Sequence, residues 1–360
     1  MKSAIFYNPD PIIPVEEIEF LPPQKGEVLV KLSAAGVCHS DHHFMTGHFI
    51  PTRAPFVMGH EGAGIISEIG QDVKGVKPGD KVILSMDSMC GKCMNCILGK
   101  PTMCLTYPRT FAMPDGSTRF RKGKQEIYHM VGTFSEYTVV PEDQVILVPD
   151  NTPLDKACII GCAVITGVGA VINRAKVKVG ETTAVFGCGG VGLNVIQGCN
   201  LAGAKQIIAI DNFDSKLKSA CEMGATHTIN PTKENVIEKI MDITSGGVDY
   251  AFEVVGSTKL IELAFSAIKR GGSTIIVGVP PVKSKISIDA MDLLVDKALI
   301  GSFHGNANPK FDFLWMLDLY HSGKLKLDQL ITGYRPLHEI NHAFDDLLNG
   351  KAIRTILTFD

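Results

Sequence analysis

Hydrophobic and polar positions along this chain follow two different rhythms, and the change falls near residue 170. Before it, short β-prone runs such as Val28–Leu32, Gly64–Gly70 and Lys81–Leu84 are bounded by glycine, proline or charge, as half-buried strands joined by turns are. A loop-rich stretch from about residue 87 to 133 follows, with a turn at Pro114-Asp115-Gly116. Beyond it the pattern predicts strand Thr183–Phe186, a helix running to Gly203, strand Gln206–Ile210, helix Asp214–Met223 and strand Thr226–Ile229. Helix Lys233–Thr244, strand Val248–Val254, helix Thr258–Ile268 and strand Ser273–Val277 continue the series. Apolar strands alternating with such helices predict a parallel sheet covered on both faces. From about Asn306 the chain offers two amphipathic helices and a last strand, Thr355–Phe359, with no repeating unit of their own. That segment is expected to return to the first domain.

A length of 360 residues is enough for two cores. With 45% hydrophobic and 20% charged residues, the composition is that of a globular protein and excludes a disordered one. The net charge of −3 comes without any lysine/arginine block, so neither nucleic acid nor an anionic membrane is an expected partner. Met1–Asp10 holds one lysine and no apolar core, and no apolar run approaches the roughly 20 residues that span a bilayer. A soluble, cytoplasmic chain is therefore expected. Ten cysteines are too few for a disulfide scaffold, and in a reducing cytosol they stay available as thiolates.

Four of those cysteines crowd together. Cys90, Cys93, Cys96 and Cys104 have the spacing C-x2-C-x2-C-x7-C, and four thiolates on one loop can wrap tetrahedrally around Zn²⁺. Four protein ligands leave the metal no open position, so this zinc is structural. Disulfides would call for a secretory signal, and a redox C-x-x-C pair for a thioredoxin-like setting.

Gly187-Cys188-Gly189-Gly190-Val191-Gly192 reads G-x-G-x-x-G, directly after a predicted strand and opening a helix. The first glycine permits the tight turn and the second lets the backbone approach a pyrophosphate. The third lets helix and strand pack closely, and the helix N-terminus faces the phosphate charge. Asp211 stands about 20 residues further on, where a carboxylate accepts hydrogen bonds from ribose hydroxyls. Its charge repels a 2′-phosphate, which favours NAD over NADP.

Three more segments carry candidate chemistry: Cys38-His39-Ser40-Asp41-His42-His43, Gly59-His60-Glu61-Gly62 and Gly161-Cys162. Singly, each reads as packed thiols and satisfied imidazoles. Together with the tract Met113–Phe120 and the closing Ile353–Phe359, they make the sequence resemble the zinc-dependent medium-chain alcohol dehydrogenases nearly end to end. The resemblance implies a GroES-like, mostly β catalytic domain at residues 1–165, bearing the structural zinc loop 87–133. A doubly wound Rossmann α/β domain would be inserted at 166–303, and residues 304–360 would return to the catalytic domain, with the active site in the cleft between the two domains.

The same resemblance implies that Cys38, His60 and Cys162 bind a catalytic zinc, a Cys₂His set known from alcohol dehydrogenases and matched to them. Glu61 would sit behind the metal as a transient ligand or tuning charge, and Asp41 would hold the free ring nitrogen of His60. Ser40 would bond the substrate hydroxyl and, with His43, pass its proton to solvent. Thr166, Val277, Val279 and Phe303 would line the nicotinamide, Lys216 would contact the adenosine ribose, and Arg354 and His39 the pyrophosphate. Zinc would lower the pKa of a bound alcohol, and hydride would pass to the nicotinamide.

Primary alcohols are the expected substrates, on the apolar side chains of Phe49, Met86, Met130 and Val131. Arg53 and Arg119 leave open a thiol-dependent formaldehyde dehydrogenase, and a nicotinoprotein that retains NAD(H) is a further variant. A non-catalytic binding relative is the most distant alternative, since such relatives lose zinc ligands. Strands near Leu299–Phe303 are expected to join across a twofold axis into a homodimer or homotetramer. Cys158, Cys188, Cys199 and Cys221 read as packed thiols, His42 and His48 as loop residues, and His304, His321 and His338 as structural or solvated.

His39 stands where many family members carry arginine. An imidazole is half-charged only near about pH 6.5 and holds a phosphate less firmly than a guanidinium. The His39→Arg variant is expected to bind NADH more tightly in a fluorescence titration; an unchanged dissociation constant would remove His39 from the pyrophosphate contact.

Overall fold

The computed structural model describes residues 1–8, 10–47, 53–107 and 111–359; His48 and Phe49 lie outside them. The chain divides into two compact units. The first joins Met1–Cys162 to Asn308–Ser322 and to the chain from Leu327 onward, and the second comprises Ala163–Ala307 with Gly323–Lys326.

The first unit is built on the long strand Glu27–Gly36. It pairs antiparallel with Glu61–Ile69, with Tyr137–Pro141 and with the last strand, Arg354–Thr358. The sheet continues outward through Lys81–Leu84 and Val145–Leu147 on one side and Ile331–Pro336 on the other, seven strands among the described residues. The C-terminal strand is thus hydrogen-bonded beside a strand from the first tenth of the chain. Val28, Val30 and Leu32 alternate into a core with Ile66, Val82, Leu84 and Val131. A second cluster gathers Phe6, Phe44, Phe56, Phe111, Phe134 and Phe344 around the short helix that follows Cys38. Fully burying side chains of this size stabilises by about 1.5–3 kcal/mol each.

One buried ion pair clips this unit. Arg119 donates from Nε to Glu27 Oε2 at 2.7 Å and from Nη2 to Oε1 at 2.5 Å, with 2% of the arginine exposed. Removing one partner of such a pair costs about 3–5 kcal/mol, because the other charge is left buried alone.

The second unit holds six parallel strands among the described residues, in the order His227–Ile229, Gln206–Ile210, Thr182–Phe186, Val248–Glu253, Ile268–Ile276, Ala298–Gly301. This is the 3-2-1-4-5-6 order of a Rossmann sheet, with its reversal between Thr182–Phe186 and Val248–Glu253. The fold therefore comprises a doubly wound α/β unit and a mostly β unit.

Some boundaries differ from the sequence expectation. The second unit starts at Ala163 rather than at residue 166, because helix Ala163–Gly169 packs Gly167 against Val191 and Asn194 of helix Gly190–Leu201. It ends at Ala307 rather than 303, because Gly305 packs on Gly169. The helix expected from Lys233 begins at Val236, since the Asn235 side chain caps it by accepting from the amides of Ile237 and Glu238.

His129 lies in the first unit, 1% exposed, with its ring 4.4 Å from that of Phe120 and Nε2 2.7 Å from the Val139 carbonyl. Burial depresses its pKa to about 4, against the opposing pull of that hydrogen bond. Between about pH 6.5 and 4 the unfolded chain binds this proton and the folded chain does not. Stability is then full above about 6.5 and falls by about 3 kcal/mol as the pH drops to 4. In His129→Gln, which keeps an N–H for Val139, the loss of stability from pH 7 to 4.5 by denaturant titration is expected to be smaller by about 2 kcal/mol. Superimposable pH profiles would contradict this assignment.

Candidate zinc centres and nucleotide turn

Cys38 ends the approach from strand Glu27–Gly36 and serves as N-cap of helix His39–Met45. Asp41, in the first turn, turns back: its Oδ2 accepts the Cys38 amide at 3.2 Å, while Oδ1 lies 3.0 Å from His60 Nδ1. A carboxylate only accepts, so Nδ1 carries a proton, and Nε2 is the nitrogen that can give its lone pair to a metal in exchange for a proton. Glu61 opens strand Glu61–Ile69 right after His60, and Cys162 follows the 3₁₀ turn Cys158–Gly161. The donor atoms of Cys38, His60, Glu61 and Cys162 all lie within 4.8 Å of one another, and all four residues are buried.

The electrostatics suit a cation. Cys162 hydrogen-bonds Cys38 and, with the Arg354 charge, holds the Cys38 thiol well below its ordinary pKa despite burial; Cys162 is pushed well above its own. Burial works against a charged His60, but Asp41 outweighs it and raises the imidazole's pKa well above the usual value. Burial lifts Glu61 to about 7, with Arg354 opposing. Two thiols, an imidazole with its free nitrogen fixed and a carboxylate in reach form a borderline-soft donor set that fits Zn²⁺.

Arg354 corrects an expectation. In place of the expected pyrophosphate contact, its guanidinium is 3% exposed and donates from Nη2 to Glu61 Oε1 at 2.7 Å, with Cys38 Sγ 3.4 Å away. A guanidinium beside a fully buried carboxylate stays with it, since either charge alone would be uncompensated. Sequence reasoning missed this pairing; the partners are 293 positions apart and no local signal joins them.

Ser40 and His43 lie half-buried on helix His39–Met45, with His39 exposed and its ring 6.3 Å from that of His43. His42 belongs to the same helix rather than to a loop. Among the remaining cysteines, Cys158, Cys188 and Cys199 are buried, whereas Cys221 is exposed and not packed as expected. His304 is buried, at 5% exposure.

The second cluster, Cys90, Cys93, Cys96 and Cys104, brings its four sulfurs within 4.8 Å of one another. Backbone amides point at them: Cys93 N–H to Cys90 Sγ at 3.3 Å, Cys90 N–H to Cys104 Sγ and Leu105 N–H to Cys93 Sγ, both at 3.4 Å. Thr106 Oγ1 adds a hydrogen bond to Cys90 Sγ at 3.2 Å and, with the amides, brings that thiol down to about 6. Amides aimed at sulfur stabilise thiolate, the form a metal binds.

In the second unit, Gly187 turns at φ 104° after strand Thr182–Phe186, and helix Gly190–Leu201 starts from Gly189. A Cβ on Gly192 would collide with the Gly187 carbonyl, so only glycine permits this turn. Asp211 follows strand Gln206–Ile210; its Oδ2 accepts the Cys188 amide at 2.8 Å and Oδ1 the Phe213 amide at 3.0 Å. The carboxylate is tied to the glycine turn itself. Lys216 lies with Nζ 4.9 Å over the Phe213 ring. Val277 and Phe303 follow the carboxyl ends of strands Ile268–Ile276 and Ala298–Gly301, the end of a parallel sheet at which ligands bind, and Val279 stands two residues past Val277. Thr166 is on helix Ala163–Gly169.

Two family models match: an alcohol dehydrogenase GroES-like domain over residues 24–150 and a zinc-binding dehydrogenase domain over 190–322. S-(hydroxymethyl)glutathione dehydrogenase of Saccharomyces cerevisiae is 41% identical, with 99% of this chain and 96% of that protein covered. Alcohol dehydrogenase class-3 of Dictyostelium discoideum is 40% identical over 99% of this chain and 97% of its own. The solved structure of benzyl alcohol dehydrogenase from Acinetobacter calcoaceticus superposes with a TM-score of 0.94 at 32% identity, covering 100% of this chain and 99% of that one. A zinc-binding dehydrogenase from Sinorhizobium meliloti 1021 bound to NADP is 27% identical with a TM-score of 0.82, covering 99% of this chain and 98% of its own. The chain belongs to the zinc-dependent medium-chain alcohol dehydrogenase family and is an oxidoreductase of that family.

Gly36 is the neighbour on which the first centre leans. A Cβ there would run into Glu61 Oε2 and come within 3.2 Å of Ile159 Cγ2. The Gly36→Ala variant is expected to bind one zinc fewer per chain than the wild type, measured as metal content after zinc loading, with turnover falling about tenfold or more. Two zincs per chain with unchanged turnover would show that Glu61 can move freely.

Proposed function

We propose that this chain oxidises a primary hydroxyl group to a carbonyl group, an aldehyde from a plain alcohol or a formyl thioester from the hydroxymethyl adduct of a thiol, with NAD as the hydride acceptor. One zinc is held by Cys38, His60 and Cys162 with Glu61 in reach, and a second by Cys90, Cys93, Cys96 and Cys104. The observation that carries this reading is the buried donor set whose imidazole is oriented by Asp41, on a chain that also has a glycine turn tied to Asp211. When bound, the zinc supplies a Lewis acid that lowers the alcohol's pKa, and the nicotinamide supplies the hydride acceptor.

The chain's own residues do the rest. Asp41 keeps the His60 proton on Nδ1. Ser40 accepts a hydrogen bond from the substrate hydroxyl and relays its proton by giving up its own, and His43 hands that proton to solvent. Arg354 holds Glu61 as a carboxylate. The N-terminus of helix Gly190–Leu201 takes the pyrophosphate, with His39 as the exposed side chain for the same group. Asp211 accepts from the adenosine ribose and Lys216 supports it; the Asp211 charge disfavours a 2′-phosphate, so NAD is preferred to NADP. Thr166, Val277, Val279 and Phe303 line the nicotinamide.

Two substrate classes share this chemistry. The name of the Saccharomyces cerevisiae relative favours the hydroxymethyl adduct of a thiol over a plain alcohol. Two structural facts bear on it. Arg119 is committed to Glu27 and offers nothing to a thiol's carboxylates, whereas Arg53, half-buried, donates to the Gly116 carbonyl at 2.8 Å and has surface left. Val131, expected to favour a plain alcohol as a pocket residue, is a fully buried core residue instead. Its removal weakens the case for the plain alcohol.

A homodimer or homotetramer in the cytoplasm completes the proposal. Strand Ala298–Gly301 is the outer strand of its sheet, near exposed Met291, Leu293 and Leu294 on helix Ala290–Leu294. Exposed apolar groups beside an open strand edge suit pairing with a second copy.

Initial rates decide between the substrates. With NAD, formaldehyde is expected to be oxidised only when glutathione is added, with kcat/KM for NADP lower by about tenfold or more. Oxidation of primary or aromatic alcohols alone would return the plain-alcohol reading, and NADH absorbance surviving dialysis would mark retained cofactor. Full turnover in Cys162→Ala would overturn the zinc mechanism.

A further inference from the structure

Glu253 ends strand Val248–Glu253, next to the sheet's reversal and paired in register with Phe186, the residue before the glycine turn. It is fully buried, and nothing in the dehydrogenase chemistry uses it. Its Oε1 accepts three consecutive amides, from Val255 at 3.0 Å, Gly256 at 2.8 Å and Ser257 at 3.2 Å. Oε2 is buried with no hydrogen-bond partner. The three amides belong to the loop that leads into helix Thr258–Ala267, with Ser257 as its N-cap. Glu253 therefore ties together the loop between its own strand and the next helix, beside the sheet's reversal.

The loop gathered by this carboxyl touches both halves of the nucleotide groove. Val254 and Val255 close over Gly187, within 3.1 Å and 2.6 Å of where a Cβ would stand, and Val254 is equally close at Gly192. On the other side Gly256 packs backbone to backbone against Gly278 and Val279. The Glu253 carbonyl itself accepts the amides of Val277 at 2.8 Å and Gly278 at 2.9 Å. The pyrophosphate turn and the strand end carrying Val277 and Val279 are thus set against one loop, and that loop is held by one buried side chain.

We propose that Glu253 is a positioning residue for the dinucleotide: by gathering the amides of residues 255–257 it fixes the span between the pyrophosphate turn and the nicotinamide-side residues Val277 and Val279. It touches no reacting atom. The inference rests on the dinucleotide reading of the glycine turn, and it adds that affinity for the nicotinamide half is set from Glu253 while affinity for the adenosine half, held by Asp211, is not. Burial raises the pKa of this carboxyl against the three amides, so an uncharged isostere is tolerated. What the loop needs is an acceptor oxygen.

Glutamine keeps that oxygen, alanine removes it, and aspartate withdraws it by one methylene. Binding of NADH and of AMP, measured by calorimetry on the zinc-loaded full-length protein, separates the two halves. Glu253→Gln is expected to bind both ligands within about threefold of the wild type. Glu253→Ala is expected to bind NADH about tenfold or more weakly and AMP within about twofold; if it does not fold, Glu253→Asp is expected to show the same split at smaller size. NADH affinity unchanged in the alanine variant, or lost in parallel with AMP affinity, overturns the inference. A wild type that binds neither ligand overturns the dinucleotide reading itself, and this inference with it.

Discussion

A single carboxylate with two tasks underlies the zinc centre. Asp41 Oδ2 accepts the amide of Cys38, and Oδ1 meets the ring of His60, so two metal donors from different segments are referred to one group. The helix it starts is only seven residues long, and its propensity alone would not hold it in water. Its place comes from Asp41 and, one turn further along the helix, from Phe44 in the aromatic cluster. Cys38 and His60, which meet Asp41, and Ser40 and His43, which lie on its helix, are therefore positioned by the same short element. A shift of Asp41 would move all four together.

The surroundings of that carboxylate explain why so much charge can be buried there. Glu61 and Arg354 are both inside, and a pair of this kind seldom stabilises more than an apolar replacement of equal volume. Its value lies in the local field. Arg354 lies 2.7 Å from Glu61 and 3.4 Å from Cys38 Sγ, so one fixed positive charge faces both groups. Against it stand two thiols of which only one ionises easily, because a hydrogen bond between them favours the anion on Cys38 and disfavours it on Cys162. A divalent cation removes that competition by favouring both thiolates at once. The absence of any Cβ at Gly36 keeps room for the Glu61 carboxylate in this arrangement.

Legibility from sequence followed distance along the chain. The four cysteines between 90 and 104 and the glycines of 187–192 carry their chemistry in local spacing, and the structure brings each group together. The strand–helix rhythm after residue 170 gave the parallel sheet because a strand buried on both faces must be apolar throughout. The helix start at Val236 was available in the Asn235 cap, and periodicity overran it by counting Lys233 onto the apolar face. Arg354 and Arg119 were not legible. Each is a lone arginine whose partner, Glu61 or Glu27, is distant in sequence; the resemblance implies a pyrophosphate contact for Arg354, and Arg119 leaves a thiol-dependent substrate open, since no local pattern reveals either buried partner. Val131 failed for the complementary reason: an apolar residue near candidate site residues looks the same whether it faces a pocket or the core.

Each unit settles its buried charge in its own way. The first concentrates acceptors, sulfur and carboxylate, whose mutual repulsion a cation relieves. The second concentrates donors, the backbone amides at helix starts, which an anion relieves. Helix Gly190–Leu201 keeps its N-terminal amides for a ligand, and the turn before it is closed by Asp211 from the side rather than filled. The loop before helix Thr258–Ala267, across the sheet's reversal, has three of its amides taken by Glu253. A carboxyl that collects the amides of its own loop holds that loop in place without a ligand, and the loop's Val254 and Val255 are packed against the glycine turn at Gly187.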